Sequence, residues 1–98
     1  MANWNTGHNH FPADVGVQCG IKAQQSVAKG SNLDTAITFP KAFHDVPNVV
    51  VCPYLGNFSN CAVGVIATST TGFTCRIFNP GSGTVNVGFQ WIAVGMPK

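Results

Sequence analysis

The chain predicts an all-β domain, a six-stranded antiparallel β-sandwich. Three observations carry that reading: short β-type runs recur along the chain, turn-forming clusters separate them, and no segment offers a convincing amphipathic helix. A length of 98 residues sustains one hydrophobic core and not two. Residues 1–14 are rich in Asn, His and Gly without periodicity and read as an irregular lead-in anchored by Trp4 and Phe11. The sandwich domain is expected over residues 15–98.

The strands follow in order. The first run, residues 15–23, precedes a turn cluster at Lys29-Gly30-Ser31-Asn32. The second, residues 35–39, stops at Pro40, which lacks the N–H a ladder needs, and Phe39 and Phe43 bracket that proline as a core staple at a corner. Pro47 closes the turn His44-Asp45-Val46-Pro47 and opens the third run, residues 48–55. A Gly56–Asn60 loop leads to the fourth, residues 62–68, and Thr70-Thr71-Gly72 makes a tight connection, with Gly72 free to take positive φ, into the fifth, residues 73–78. After Asn79-Pro80-Gly81-Ser82-Gly83 comes the sixth, residues 85–94. There Val85, Val87, Phe89, Trp91 and Ala93 share one face, while Asn86, Gly88, Gln90 and Ile92 share the other. Trp91 is large enough to seal one end of the sandwich. Antiparallel strands, short loops and no crossover helices favour two packed sheets, with a small closed barrel as the structural alternative.

Hydrophobic residues make up 45% of the chain and charged residues 8%, about a third of the usual charged share. So charge-poor a surface leaves apolar area exposed on a lone subunit, which predicts a homo-oligomer. Net charge is +2, and Lys22, Lys29, Lys41, Arg76 and Lys98 are scattered singly, so no stripe exists to neutralise a run of phosphates and nucleic acid is not an expected partner. The apolar stretches fall far short of the roughly 20 residues of a membrane span, so no membrane insertion is expected. No secretory leader pattern is visible in residues 1–20, so synthesis in the cytosol, or removal of a leader, is expected.

Cys19, Cys52, Cys61 and Cys75 have spacings that match no zinc pattern, and they are expected as free thiols, with disulfides the alternative in an oxidising setting. His44 with Asp45 and a cysteine could form a nucleophile system. Their turn and apolar-run settings, with three acidic residues in all, argue instead for no catalytic residues and no enzyme. No cofactor is expected. Asn57-Phe58-Ser59 is a glycosylation sequon expected to be unused.

Between Gly20 and Gly95 an ordered set of motifs resembles the H-type lectin domain of snail and slime-mould agglutinins, which recurs in phage tail proteins. Its carriers are Ile37-Thr38-Phe39, Phe43, Pro47-Asn48-Val49-Val50-Val51, Thr71-Gly72-Phe73 and Gln90-Trp91-Ile92-Ala93-Val94-Gly95. The resemblance implies a homotrimer, standing alone or pairing into a hexamer, with sugar held in clefts between subunits. The agglutinins hold N-acetylgalactosamine with an aromatic residue and a histidine on the loop before the last strand and an arginine on a preceding strand. Here that loop reads Asn79-Pro80-Gly81-Ser82-Gly83, and Ala62-Val63-Gly64-Val65-Ile66 carries no basic residue. Snail-type specificity is therefore not expected, and the chain looks more like the phage-tail branch: a receptor-binding or purely structural virion tail module made in host cytoplasm, with an extracellular defence lectin as the remaining alternative. The candidate contacts to a host surface glycan are Asn57, Phe58, Asn60, Asn79 and Ser82, and Arg76 is the candidate subunit contact. His8 and His10 are too few for a metal site in one chain, but three copies meeting at a trimer axis would resemble the His-x-His ion clamps of phage fibres.

Overall fold

The computed structural model describes residues 16–56 and 61–98. Six strands follow one another: β1 (Gly16–Val27), β2 (Ser31–Thr38), β3 (Asn48–Gly56), β4 (Ala62–Thr68), β5 (Gly72–Asn79) and β6 (Val85–Gly95). They form two three-stranded antiparallel sheets, ordered β1-β6-β3 and β2-β5-β4, so the chain is an all-β sandwich as its sequence predicts. Among the described residues no helix is long and apolar enough to cross a membrane.

The number of strands and their places along the chain agree with the sequence reading, while several ends do not. β1 runs four residues further than expected, to Val27, because a register shift between Lys22 and Gln25 lets the strand bend and carry on pairing with β6. β2 begins at Ser31, inside the expected turn cluster, since Gly30 at φ 64° completes the reversal and Ser31 and Asn32 can already pair with Asn79 and Phe78.

Each sheet contributes its inward face to one core. Phe73, Cys75 and Ile77 of β5 meet Val87, Phe89, Trp91 and Ala93 of β6, and Val27, Phe39 and Phe43 close the cluster. The central strands carry most of this core because each is flanked on both sides. At one end four aromatic rings interlock. Phe39 meets Phe43 edge-on at 5.1 Å, Phe73 meets Trp91 at 5.3 Å, and Phe39 lies 5.8 Å from both Phe73 and Trp91. The expected staple at Pro40 and the role of Trp91 in sealing an end are both present in this cluster. A side-chain Cβ at Gly20 would stand 2.8 Å from Trp91 Nε1, so the indole fits only because β1 has no side chain there.

Gly72 differs from expectation. Positive φ among the described glycines occurs at Gly30 and Gly56, and Gly72 is not one of them. Its constraint is close approach: an added Cβ would collide with the Ile37 carbonyl across the β2–β5 pair. The turn itself is held by Ser69, whose Oγ accepts from the backbone N–H groups of Thr71 and Gly72, each at 3.3 Å.

Candidate functional site

The outer faces of the two sheets differ in character. On β2-β5-β4 the outward positions mix polar side chains, Asn32, Asp34, Thr38, Thr74 and Arg76, with the apolar Ala36, Ala62, Ile66, Ala67 and Phe78. On β1-β6-β3 they include Val17, Ile21, Val50 and Ile92, which are 42%, 61%, 64% and 41% exposed. The same alternation that sends Val49 and Val51 inward sends Val50 and Cys52 outward. The result is an apolar sheet face with a shallow depression of about 560 Å³, lined by Cys19, Ile21, Val50, Cys52, Gln90 and Ile92. Its one polar side chain in that set, Gln90, turns its amide to Cys52, with Nε2 3.2 Å from Sγ.

Of the site residues singled out from the sequence, Asn79, Ser82 and Arg76 fall among the described residues. Asn57, Phe58 and Asn60 lie outside the described residues, as do His8 and His10. Asn79 needs correction as a ligand contact. It is 1% exposed, and its Nδ2 donates to the carbonyls of Val27 at 3.1 Å and Gly83 at 2.8 Å. Its Oδ1 accepts from the Gly81 N–H at 3.0 Å, so the whole amide is spent on shaping the loop before β6 and pinning it to the end of β1. Ser82 is exposed on that loop.

Arg76 lies on the outer face of β2-β5-β4 and forms a bidentate pair with Asp34 of β2, Nε to Oδ1 at 2.8 Å and Nη2 to Oδ2 at 3.0 Å. Those hydrogen bonds hold the Asp34 carboxyl below the usual carboxylate range and raise the guanidinium. Arg76 is thus engaged within its own subunit, on the face opposite the apolar one. His44 Nδ1 faces Asp45 Oδ2 at 3.3 Å on an exposed turn. All four thiols are free; Cys19 and Cys52 are exposed on the apolar face, whereas burial pushes the Cys75 thiol up to about 11. Among the described residues no group of three or more His, Cys, Asp or Glu side chains could hold a metal ion.

The sequence reading passed over two features. The period-two pattern Val17, Cys19, Ile21 on β1 was available as a signal for a second apolar face. Gln18 was not, because its role depends on a partner 23 residues away: its amide donates to the Lys41 carbonyl at 2.7 Å and accepts from the Lys41 N–H at 3.1 Å, clamping the β2–β3 connection to β1.

Several solved structures share the fold, three of them from fibers and a tailspike. A C-terminal portion of the P. aeruginosa R1 pyocin fiber aligns over 83% of this chain and 23% of its own, with 24% identity and a TM-score of 0.69. An N-truncated R1-type pyocin tail fiber aligns over 83% of this chain and 70% of its own, with 24% identity and a TM-score of 0.68. The tailspike protein gp49 of Pseudomonas phage LKA1 aligns over 86% of this chain and 15% of its own, with 21% identity and a TM-score of 0.71. The chain therefore spans about a quarter of the first fiber and less of the tailspike. No curated protein matches it. Residues 11–96 match the family model described as tail fiber protein gp53-like, C-terminal. That match bears out the phage-tail part of the resemblance seen in the sequence and not its H-type lectin part, and with nearly the whole chain covered this protein belongs to the gp53-like family of tail fiber C-terminal domains.

Proposed function

We propose that this domain is a non-catalytic, homotrimeric module of a virion tail fiber that recognises a glycan on the host cell surface. The observation that carries the assembly half of this reading is the unequal dressing of the two sheets. An apolar patch of Val17, Ile21, Val50 and Ile92 on β1-β6-β3, opposite a mixed face on β2-β5-β4 that carries the Asp34–Arg76 ion pair, fits a subunit that turns the first toward a three-fold axis and the second toward water. Cyclic trimers need a heterologous contact, and a broad apolar sheet accepts one without paired polar groups having to match. The recognition half rests on the H-type lectin resemblance and on the membership in a tail fiber family.

The test is the mass in solution by light scattering, together with binding to a printed panel of bacterial surface polysaccharides. The wild-type chain is expected at three times the subunit mass, and Val50→Glu, which buries a charge at the centre of the apolar face, is expected to give monomer that remains folded. A folded wild-type monomer at micromolar concentration would sink the assembly. A trimer that binds nothing on the panel would leave a structural fiber piece, a reading that Asn79 favours because its amide is consumed within the fold.

A further inference from the structure

The sheet β1-β6-β3 is irregular at one level only, and on both sides of the same residue. Opposite β6, Lys22 pairs with Phe89 and Gln25 with Val87, so Ala23 and Gln24 together face Gly88. On the other flank Tyr54 pairs with Gly88 and Gly56 with Val87, which leaves Leu55 as the extra residue. Both edge strands therefore bulge over Gly88. A Cβ on Gly88 would lie 2.7 Å from the Lys22 carbonyl oxygen and 2.8 Å from that of Tyr54, so the flanking backbones lean inward over a position that only glycine can occupy. Leu55 takes φ 60°, the left-handed region, which residues with a Cβ seldom adopt. Gly56, at φ 93°, stands next to it in a conformation suited to glycine.

This distortion opens a cleft of about 440 Å³ on the outer face, lined by Ile21, Ala23 and Gln24 on one side and Tyr54 and Leu55 on the other. It begins at Ile21, where the apolar depression on the same sheet ends, and so sits at the rim of the face assigned above to subunit packing. Bulges re-aim side chains and interrupt pairing, and strain held by a non-glycine residue persists where the surrounding structure over-determines it. We infer that the cleft over Gly88 is a monosaccharide subsite, with the Tyr54 ring as a platform for the C–H face of a sugar and the Gln24 amide as the partner of adjacent hydroxyls. A pyranose has one apolar face and a rim of hydroxyls, and an aromatic ring beside an amide complements both. The volume lies in the range of small-ligand sites, roughly 300–1,000 Å³.

This inference rests on the glycan-recognition reading. The experiment titrates wild type, Tyr54→Ala, Tyr54→Phe and Gln24→Ala against a panel of bacterial O-chain polysaccharides and against free N-acetylglucosamine, galactose and rhamnose, with oligomer mass and thermal midpoint as controls. Tyr54→Ala is expected to weaken binding on the order of tenfold, Tyr54→Phe to stay near wild type, and Gln24→Ala to weaken it severalfold. Amide shifts of Gly88, Ala23 and Leu55 on titrating the free sugars give a second reading if Tyr54→Ala does not fold. Wild-type binding unchanged in Tyr54→Ala, or shifts confined elsewhere, overturns the subsite and leaves receptor binding standing. A trimer that binds no carbohydrate in the panel overturns both.

Discussion

Asn79 illustrates how one side chain can be read correctly in kind and wrongly in role. An amide on an Asn-Pro-Gly loop is an apt hydrogen-bonding group, but here three main-chain partners saturate it in a buried position. Asn79→Ala leaves the Val27 and Gly83 carbonyls and the Gly81 N–H without that partner, and is expected to lower unfolding free energy by about 2–3 kcal/mol, measured by urea denaturation. Sugar binding by the remaining folded protein should not change, and a binding loss larger than the stability loss explains would return Asn79 to the ligand site. Gly72 carries a similar lesson: its identity was legible, yet the reason is the Ile37 carbonyl packed against it, not its own φ.

At the scale of the element, the alternation along β1 and β3 produces two apolar stripes, and only one can enter the sandwich core. Cys19 and Cys52 lie on the second face while Cys75 lies in the core, so the thiols report which surfaces are covered. With a maleimide at pH 7.5, Cys75 is expected to stay silent in the folded protein, being buried and held protonated. Cys19 and Cys52 are expected to react slowly in wild type and at least tenfold faster in the Val50→Glu monomer. Equal rates in the two proteins would place the subunit contact on another face.

For the whole molecule, the β2-β5-β4 face with its Asp34–Arg76 pair forms the outside of the proposed trimer and the apolar patch of β1-β6-β3 its inside, with the Gly88 cleft at the rim between them. In the proposed trimer, covering the apolar face by neighbouring copies couples folding to association, so the thermal midpoint should rise by a few degrees for each tenfold increase in protein concentration. Calorimetry across a hundredfold concentration range checks this. A midpoint independent of concentration is the behaviour of a subunit stable by itself.

The six strands, their places along the chain and the inward face of β6 were legible because strand pairing leaves a period-two trace in the sequence and because Gly, Pro, Asn and Asp mark the reversals locally. The phage-tail side of the reading was legible because the 79–83 loop and the 62–66 strand lack the aromatic, His and Arg groups of the agglutinins, whereas the motifs Pro47-Asn48-Val49-Val50-Val51 and Gln90-Trp91-Ile92 suggested an H-type lectin, a narrower family than the tail fiber match shows. What only tertiary structure decided depends on partners far apart in the chain. Gln18 finds Lys41, Arg76 finds Asp34 and Asn79 finds Val27 across gaps of 23, 42 and 52 residues, and no local pattern encodes such meetings. The cleft over Gly88 is of the same kind. Two bulges far apart in the chain, at Ala23-Gln24 and Leu55, become one site only because β6 runs between them, and a bulge shifts the register by a single residue without leaving a composition of its own.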